Sequence, residues 1–388
     1  MKDDQYKNFL HALKDAPSPS LFLDQEAFYK NLNWVILNSG NKNIRIATKS
    51  IRSVEILKKI HASNPVFQGF MTYTLEESLW LRSLGLKDLL IGYPTTDRCS
   101  LNKLAEDPGE IVLMVDRIEH LDLLEEIASA KKTVFEVCVD LDLSMDLPGV
   151  RFGVYRSNLH EEKHLNTFLV HLKKCQHIKL VGAMGYEAQI AGVMDENSKL
   201  MQVLKQLSLT QIKNRRQKMI QIIQEAGHTL KLINGGGTGS LKHTNKEEIV
   251  NEITIGSAFF APVLFDHYQD FKLSPALFFS SPIVRQPAKK IFTILGGGYI
   301  ASGQTDEIKQ PQVWLPTGLA LIKNEGAGEV QTPLKYNGSL KLGIGDLIIL
   351  RHAKAGEICE RFNQIHIIEG NRITETVNTY RGEGKCFL

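Results

Sequence analysis

Cysteine is scarce in this chain. Five are scattered along 388 residues, at Cys99, Cys138, Cys175, Cys359 and Cys386, and no two form a CxxC pair. In a chain of this length that excludes a disulfide framework and leads us to expect a reduced, cytosolic protein. Long apolar runs are missing as well. None approaches the length that spans a bilayer, and the first residues, "MKDDQYKNFLHALKDAPSPS", lack the apolar stretch of a secretory signal. Membrane insertion and export are therefore not expected. Charge of one sign never accumulates: the formal net charge is +3, and basic residues alternate with acids and polar groups, as on solvated helix faces. Nucleic acid is not an expected partner. Internal repeats and low-complexity tracts are absent too.

What is present is an ordinary globular composition, 43% hydrophobic and 23% charged, enough to bury a sizeable core. At about 150 residues per domain the length predicts two or three domains. From residue 17 to residue 275, short apolar runs alternate with helix-period stretches. The first run is "SLFLD". Eight core strands follow it: "IRIATK", "FQGFMTY", "DLLIGYP", "EIVLMVD", "VFEVCVDLD", "LVGAMGYE", "LKLINGGGTG" and "EITIGSAFF". Repeated strand–helix units give parallel strands covered by helices, and eight of them fit an α/β fold of the (β/α)8 TIM-barrel type. A doubly wound open sheet would want a glycine fingerprint after its first strand, and "IRIATKSIRS" has none. From residue 276 to residue 388 the pattern becomes β-rich, with Gly, Pro and Asn turns, and predicts a smaller all-β domain on which residues 1–16 could pack.

Barrel enzymes place their sites at the carboxyl ends of the strands. Lys49 stands there on the first core strand. An apolar setting would lower its pKa and leave a neutral amine able to form a Schiff base with a carbonyl. The bland alternative is a lysine snorkelling to solvent. The weighting shifts with "INGGGTGS" (Ile233–Ser240) and "EITIGSAFF", which put glycine turns after the seventh and eighth core strands, where barrels hold phosphate. Backbone N–H groups can converge there on an anion, and Thr238 and Ser240 can add hydroxyls. A phosphate site and a strand-end lysine together point to pyridoxal 5'-phosphate.

At this point the chain resembles the fold-type III pyridoxal-phosphate enzymes, the alanine racemase-like barrels, and within them the D-threonine aldolase / D-serine dehydratase branch (amino acid deaminase/aldolase). The likeness is carried by "PSPSLFLDQEAFYKNLNWV", "IRIATKS", "GFMTYTLEESLWLRSLGLKDLLIGYP", "RFGV", "GYEAQ", "GGGTGS" and "IGSAFF", in that order. The resemblance implies Lys49 as the internal aldimine. It implies Gly236, Gly237, Thr238, Gly256 and Ser257 as the phosphate cradle, and Arg151 and Tyr186 near cofactor or substrate. An ion pair at the barrel rim is an equal reading of Arg151, a core tyrosine an equal reading of Tyr186, and Gln189 is a lesser polar candidate.

Relatives in this branch carry a metal on the β domain, bound by a histidine and a second ligand two residues later. In "RHAKAGEICERFNQIHII" the candidates are His352 and Cys359, with Glu357 as an alternative ligand, for zinc or manganese. The spacing departs from the relatives' pattern. A buried thiol and a polar loop histidine are the alternative. His366 is read as a strand residue, and Cys386 receives no role. The expected activity is a pyridoxal-phosphate lyase acting on D-β-hydroxy amino acids, by aldol cleavage or dehydration. The competing readings are an amino-acid racemase with Tyr299 as second acid/base, and a non-catalytic cofactor carrier. The resemblance also implies a homodimer.

Overall fold

The computed structural model describes residues 2–196, 198–304 and 306–388. Eight parallel strands close into a barrel in chain order: Asn43–Ala47, Phe67–Thr72, Leu89–Pro94, Ile111–Val115, Phe135–Asp140, Ile178–Gly185, Leu232–Gly235 and Glu252–Ile255. They are the eight core strands expected from the sequence. Closure runs between the last strand and the first, with Ile253 opposite Ile44. Alternation along each strand builds two separate cores. Leu90, Val112, Met114, Cys138, Val181 and Met184 fill the barrel interior. Their neighbours Leu89, Ile111, Leu113, Val137 and Leu180 face outward and pack with the helices.

One strand leaves the unit in which the sequence reading had placed it. Ser20–Asp24 is a middle strand of the C-terminal sheet, antiparallel to Leu277–Ala288 and parallel to Gln364–Glu369. Its alternation explains the switch. Leu21 and Leu23 join the large core, while Phe22 points the other way to Phe9, Phe278 and Ile349. The first helix, Lys2–Leu13, packs Tyr6, Phe9 and Leu13 on that face. Asp24 ends the strand and caps the next helix, Gln25–Asn38, by accepting the Ala27 N–H at 3.1 Å.

The rest of the C-terminal region is all β, and His366 lies on the strand Gln364–Glu369, bonded to Thr376 at 2.9 Å. Two elements differ from the sequence reading. The helix Lys199–Glu225 starts ten residues before "LTQIKNRRQKMIQIIQEAG" because Ser198 caps it, accepting the Met201 N–H at 3.2 Å. A short hairpin, Met145–Leu147 with Val150–Phe152, follows the fifth barrel strand and sets Arg151 across from Asp146.

The two units meet behind the first barrel strand. Tyr380 donates its backbone N–H to Arg52 O (2.8 Å) and its hydroxyl to Glu77 Oε1 (2.9 Å). Glu77 lies in the helix Leu75–Ser83, and its other oxygen accepts the Tyr73 N–H at 2.8 Å. The carboxyl is fully enclosed, and burial outweighs these donors, holding its pKa up to about 7 from 4.5. A raised carboxyl keeps a proton in the folded state that the unfolded chain gives up. Its contribution to stability therefore falls as pH rises from about 4.5 to about 7. We expect Glu77→Gln to lose less stability than the parent across that window, by on the order of 3 kcal/mol. Chemical denaturation at several pH values measures this. Identical pH slopes for the two proteins would count against a protonated Glu77.

Candidate active site

The loops at the carboxyl ends of the barrel strands enclose a cavity of about 140 Å³. Its wall includes Lys49, Tyr186, Gly236, Gly237, Thr238, Gly256 and Ser257, so residues far apart in sequence line one space. Lys49 sits in the 3-10 turn Thr48–Ser50 directly after the first strand. Its amine is exposed to the cavity rather than wrapped in apolar side chains, and it donates to the Tyr93 hydroxyl at 2.5 Å. Tyr93 stands at the end of the third barrel strand, Leu89–Pro94. The strand-end rule that singled out Lys49 applies equally to it.

The lysine turn is gripped from several sides. Arg52 Nε donates to Lys49 O at 3.1 Å, and Thr48 Oγ1 to Met71 O at 3.0 Å. A Cβ on Gly256 would stand 2.7 Å from Ser50 Oγ. Gly356, with φ +76°, presses on the Lys49 carbonyl from the C-terminal domain, leaving no space for a side chain.

The glycine turn is fixed by buried charge. Glu187 accepts Arg216 Nη2 at 2.9 Å and the Gly236 N–H at 3.0 Å, and it also takes the Thr244 hydroxyl. Arg216 reaches on to Glu247. A pair this enclosed contributes through geometry more than through net stability. Gly236 has φ +83°, and a Cβ on Gly237 would come 2.9 Å from the Ala191 methyl. Bare backbone is thus what the turn presents. The Ala258 N–H donates to Thr238 Oγ1 at 3.1 Å, which ties the two glycine turns together and leaves the Thr238 hydroxyl proton for a ligand. The Thr238 N–H has no acceptor among the described residues. The N–H of Ser257, first in its helical turn, lies beyond the reach of that turn's own carbonyls. Ser240 contributes nothing to the cavity. Its hydroxyl is buried within the turn, accepting the Gly237 N–H at 3.0 Å. These donors, around an exposed lysine, fit a phosphate-bearing aldehyde such as pyridoxal phosphate.

Other expected residues lie elsewhere. Arg151 pairs with Asp142 (3.2 Å) and Asp146 (3.7 Å) and does not line the cavity. The hairpin register opposite Asp146 turns it to the rim. Arg156, five residues on, lines the cavity instead, 5.8 Å from the Tyr186 ring centre. Nothing in "RFGVYRS" ranked the second arginine above the first. Gln189 is spent on Leu143 O at 2.7 Å. Beside Arg156, Asp140 is pushed up to about 8 by burial and by Asp116. Tyr186 is half-buried in the cavity wall, and desolvation there raises its phenol to about 12.

His352 and Cys359, the expected metal ligands, lie outside the cavity. No group of three or more His, Cys, Asp and Glu side chains placed to hold an ion occurs among the described residues. His352 is buried with Nδ1 3.2 Å from Leu277 O, and burial with the Arg351 charge drives its pKa down to about 3. Cys359 is buried, and burial pushes its thiol up to about 12. Neither lines the cavity or the outer chamber, about 600 Å³, that adjoins it around Lys49. Glu357 does line that chamber, but its oxygens are taken by Ser302 and Lys354. Tyr299 packs between Phe279 and Phe362 and lines neither space in its own chain.

No match by sequence was found among curated proteins. The fold overlays on D-threonine aldolase from Filomicrobium marinum with TM-score 0.80 at 17% identity, over 95% of this chain and 96% of that one. D-threo-3-hydroxyaspartate dehydratase from Delftia sp. HT23 overlays with TM-score 0.77 at 15% identity, over 95% and 98%. Two variants of that dehydratase, with a histidine and with a cysteine two positions later replaced by alanine, overlay similarly, the cysteine variant in a metal-free form. Alanine racemase from Bacillus anthracis gives TM-score 0.68 at 16% identity, over 95% and 100%. At such identities the likeness is one of fold. The sequence itself matches the model of the alanine racemase N-terminal domain over residues 23–261, more than half the chain. The protein therefore belongs to the alanine racemase N-terminal domain family, the fold-type III pyridoxal-phosphate enzymes.

Proposed function

We propose that this protein is a pyridoxal-phosphate-dependent lyase acting on D-β-hydroxy amino acids, by aldol cleavage or dehydration. The observation that carries the reading is the meeting of Lys49 with both glycine turns in one cavity, beside a larger chamber that can take an amino acid. The aldolase and dehydratase overlays, at TM-scores of 0.80 and 0.77 against 0.68 for the racemase, support the branch. Within one chain Tyr299, the acid/base candidate for racemisation, packs against Phe279 and Phe362 and does not line the cavity. A head-to-tail homodimer of this chain is part of the proposal.

Bound at this site, pyridoxal phosphate supplies a carbonyl carbon that primary amines bond and a ring that accepts electron density from the bonds at Cα. The chain does the rest. The Thr238 and Ser257 N–H and hydroxyl groups hold the phosphate. Lys49 would hold the cofactor through its amine. The same Nζ is placed to take a proton, from Cα for loss of water or from the β-hydroxyl for C–C cleavage. The Tyr93 hydroxyl, 2.5 Å away, orients that amine. Arg156 lines the cavity as a permanent cation for the substrate carboxylate.

Lys49→Ala should abolish the visible absorbance of lysine-bound cofactor while leaving the fold intact. Retention of that band would defeat the assignment of Lys49. Incubation with D-threonine, D-serine and alanine should release aldehyde or keto acid from a hydroxylated substrate. Inversion of alanine with neither product would replace the lyase by a racemase, and inertness toward all three would favour a carrier. Arg156→Met should raise KM about tenfold or more, the loss of one charge-assisted contact, with a smaller change in kcat. An unchanged KM removes Arg156 from substrate binding.

A further inference from the structure

The loop from Arg351 to Glu357 brings the C-terminal domain to the chamber that contains Lys49. By the resemblance, metal-bearing relatives follow their histidine with a second ligand two residues later. In this chain the residue two after His352 is Lys354. His352 itself is turned away from the chamber, with Nε2 enclosed and without a partner. Lys354 lines the chamber wall, in the company of Lys49 and Tyr73.

The Lys354 ammonium is held in place. It donates to Ser302 Oγ at 2.6 Å and pairs with Glu357 Oε1 at 3.0 Å. Glu357 is itself anchored, accepting the Ser302 N–H at 2.8 Å and the Ser302 hydroxyl at 2.6 Å. Two of the three ammonium protons thus have acceptors, and one is left for a ligand. A lysine so tied keeps its positive charge at one place on the wall, unlike a free surface lysine that sweeps through solvent. The Lys309 side chain, also on the chamber wall, adds a second positive charge. A divalent cation brought to this wall would meet two ammonium groups and one carboxylate already engaged, a setting that repels it.

We propose that the Lys354 ammonium stands in for the metal of the related enzymes and donates a hydrogen bond to the oxygen on the substrate's β-carbon. This rests on the lyase reading of the same site. The charge-assisted bond polarises that oxygen, which favours its departure as water with the proton that Lys49 has taken from Cα, or steadies the oxygen as its own proton leaves for Lys49. Ser302 and Glu357 are positioning residues that act through Lys354.

The test uses cofactor-loaded protein stripped with a chelator and shown metal-free by elemental analysis. Binding of D-serine and of D-alanine is followed by the change in cofactor absorbance, a readout that does not need turnover. We expect the stripped protein to bind D-serine about tenfold more tightly than D-alanine. We expect Lys354→Met to bind the two equally, Lys354→Arg to keep part of the preference, and Ser302→Ala to weaken it. The proposal fails if the preference vanishes on stripping and returns with zinc or manganese, or if Lys354→Met keeps it in full. If neither amino acid perturbs the cofactor spectrum of the parent protein, the lyase reading fails first. That result is distinct from binding without discrimination, which overturns the role of Lys354 alone.

Discussion

The backbone carbonyl of Lys49 is the point on which this molecule turns. The C-terminal domain reaches it through Gly356, where a Cβ would overlap the Lys49 oxygen, and Arg52 donates to it from the other side at 3.1 Å. The eighth barrel strand closes in through Gly256, whose Cβ would meet Ser50. Only residues without side chains let two domains and two barrel strands crowd one turn this closely. The result is a lysine whose main chain is immobilised while its amine stays open to the cavity. That combination holds the amine at a defined place on the cavity wall.

A second layer of enclosed polar groups supports that point. Glu77 and Tyr380 bind the C-terminal domain to the helix behind the lysine turn. Glu187, Arg216 and Glu247 fix the glycine turn opposite. At the far end of the barrel Arg45 grips Glu252 through two bonds, at 2.6 Å and 2.8 Å, and Asp88 through a third at 2.9 Å. Such groups give little net stability over an apolar core, but breaking one partner away is costly. They hold geometry, and in this protein each lies directly behind a strand or turn that lines the site.

Much of this was legible because barrels repeat. Alternating apolar runs and helix-period stretches named all eight strands, and the strand-end rule picked out Lys49 and the two glycine turns before any geometry was known. Arg151 shows where such reading stops. The choice between Arg151 and Arg156 depends on the register of a three-residue hairpin, which no periodicity encodes. His352 and Cys359 show the same limit for ligands. Residue type nominated them, while burial turned both away from the chamber and left Lys354 facing it.

The sequence by itself determined the architecture, the order of its strands, the lysine at the tip of the first and the bare backbone of the two glycine turns. These follow from local periodicity and from residues whose chemistry is nearly unique to them. The tertiary structure alone decided which arginine enters the cavity, that Tyr93 meets the lysine amine, that Ser20–Asp24 joins the second sheet, and that Lys354 rather than His352 lines the outer chamber. Those outcomes depend on which side chain wins a shared volume, and that competition exists only once distant segments are packed together.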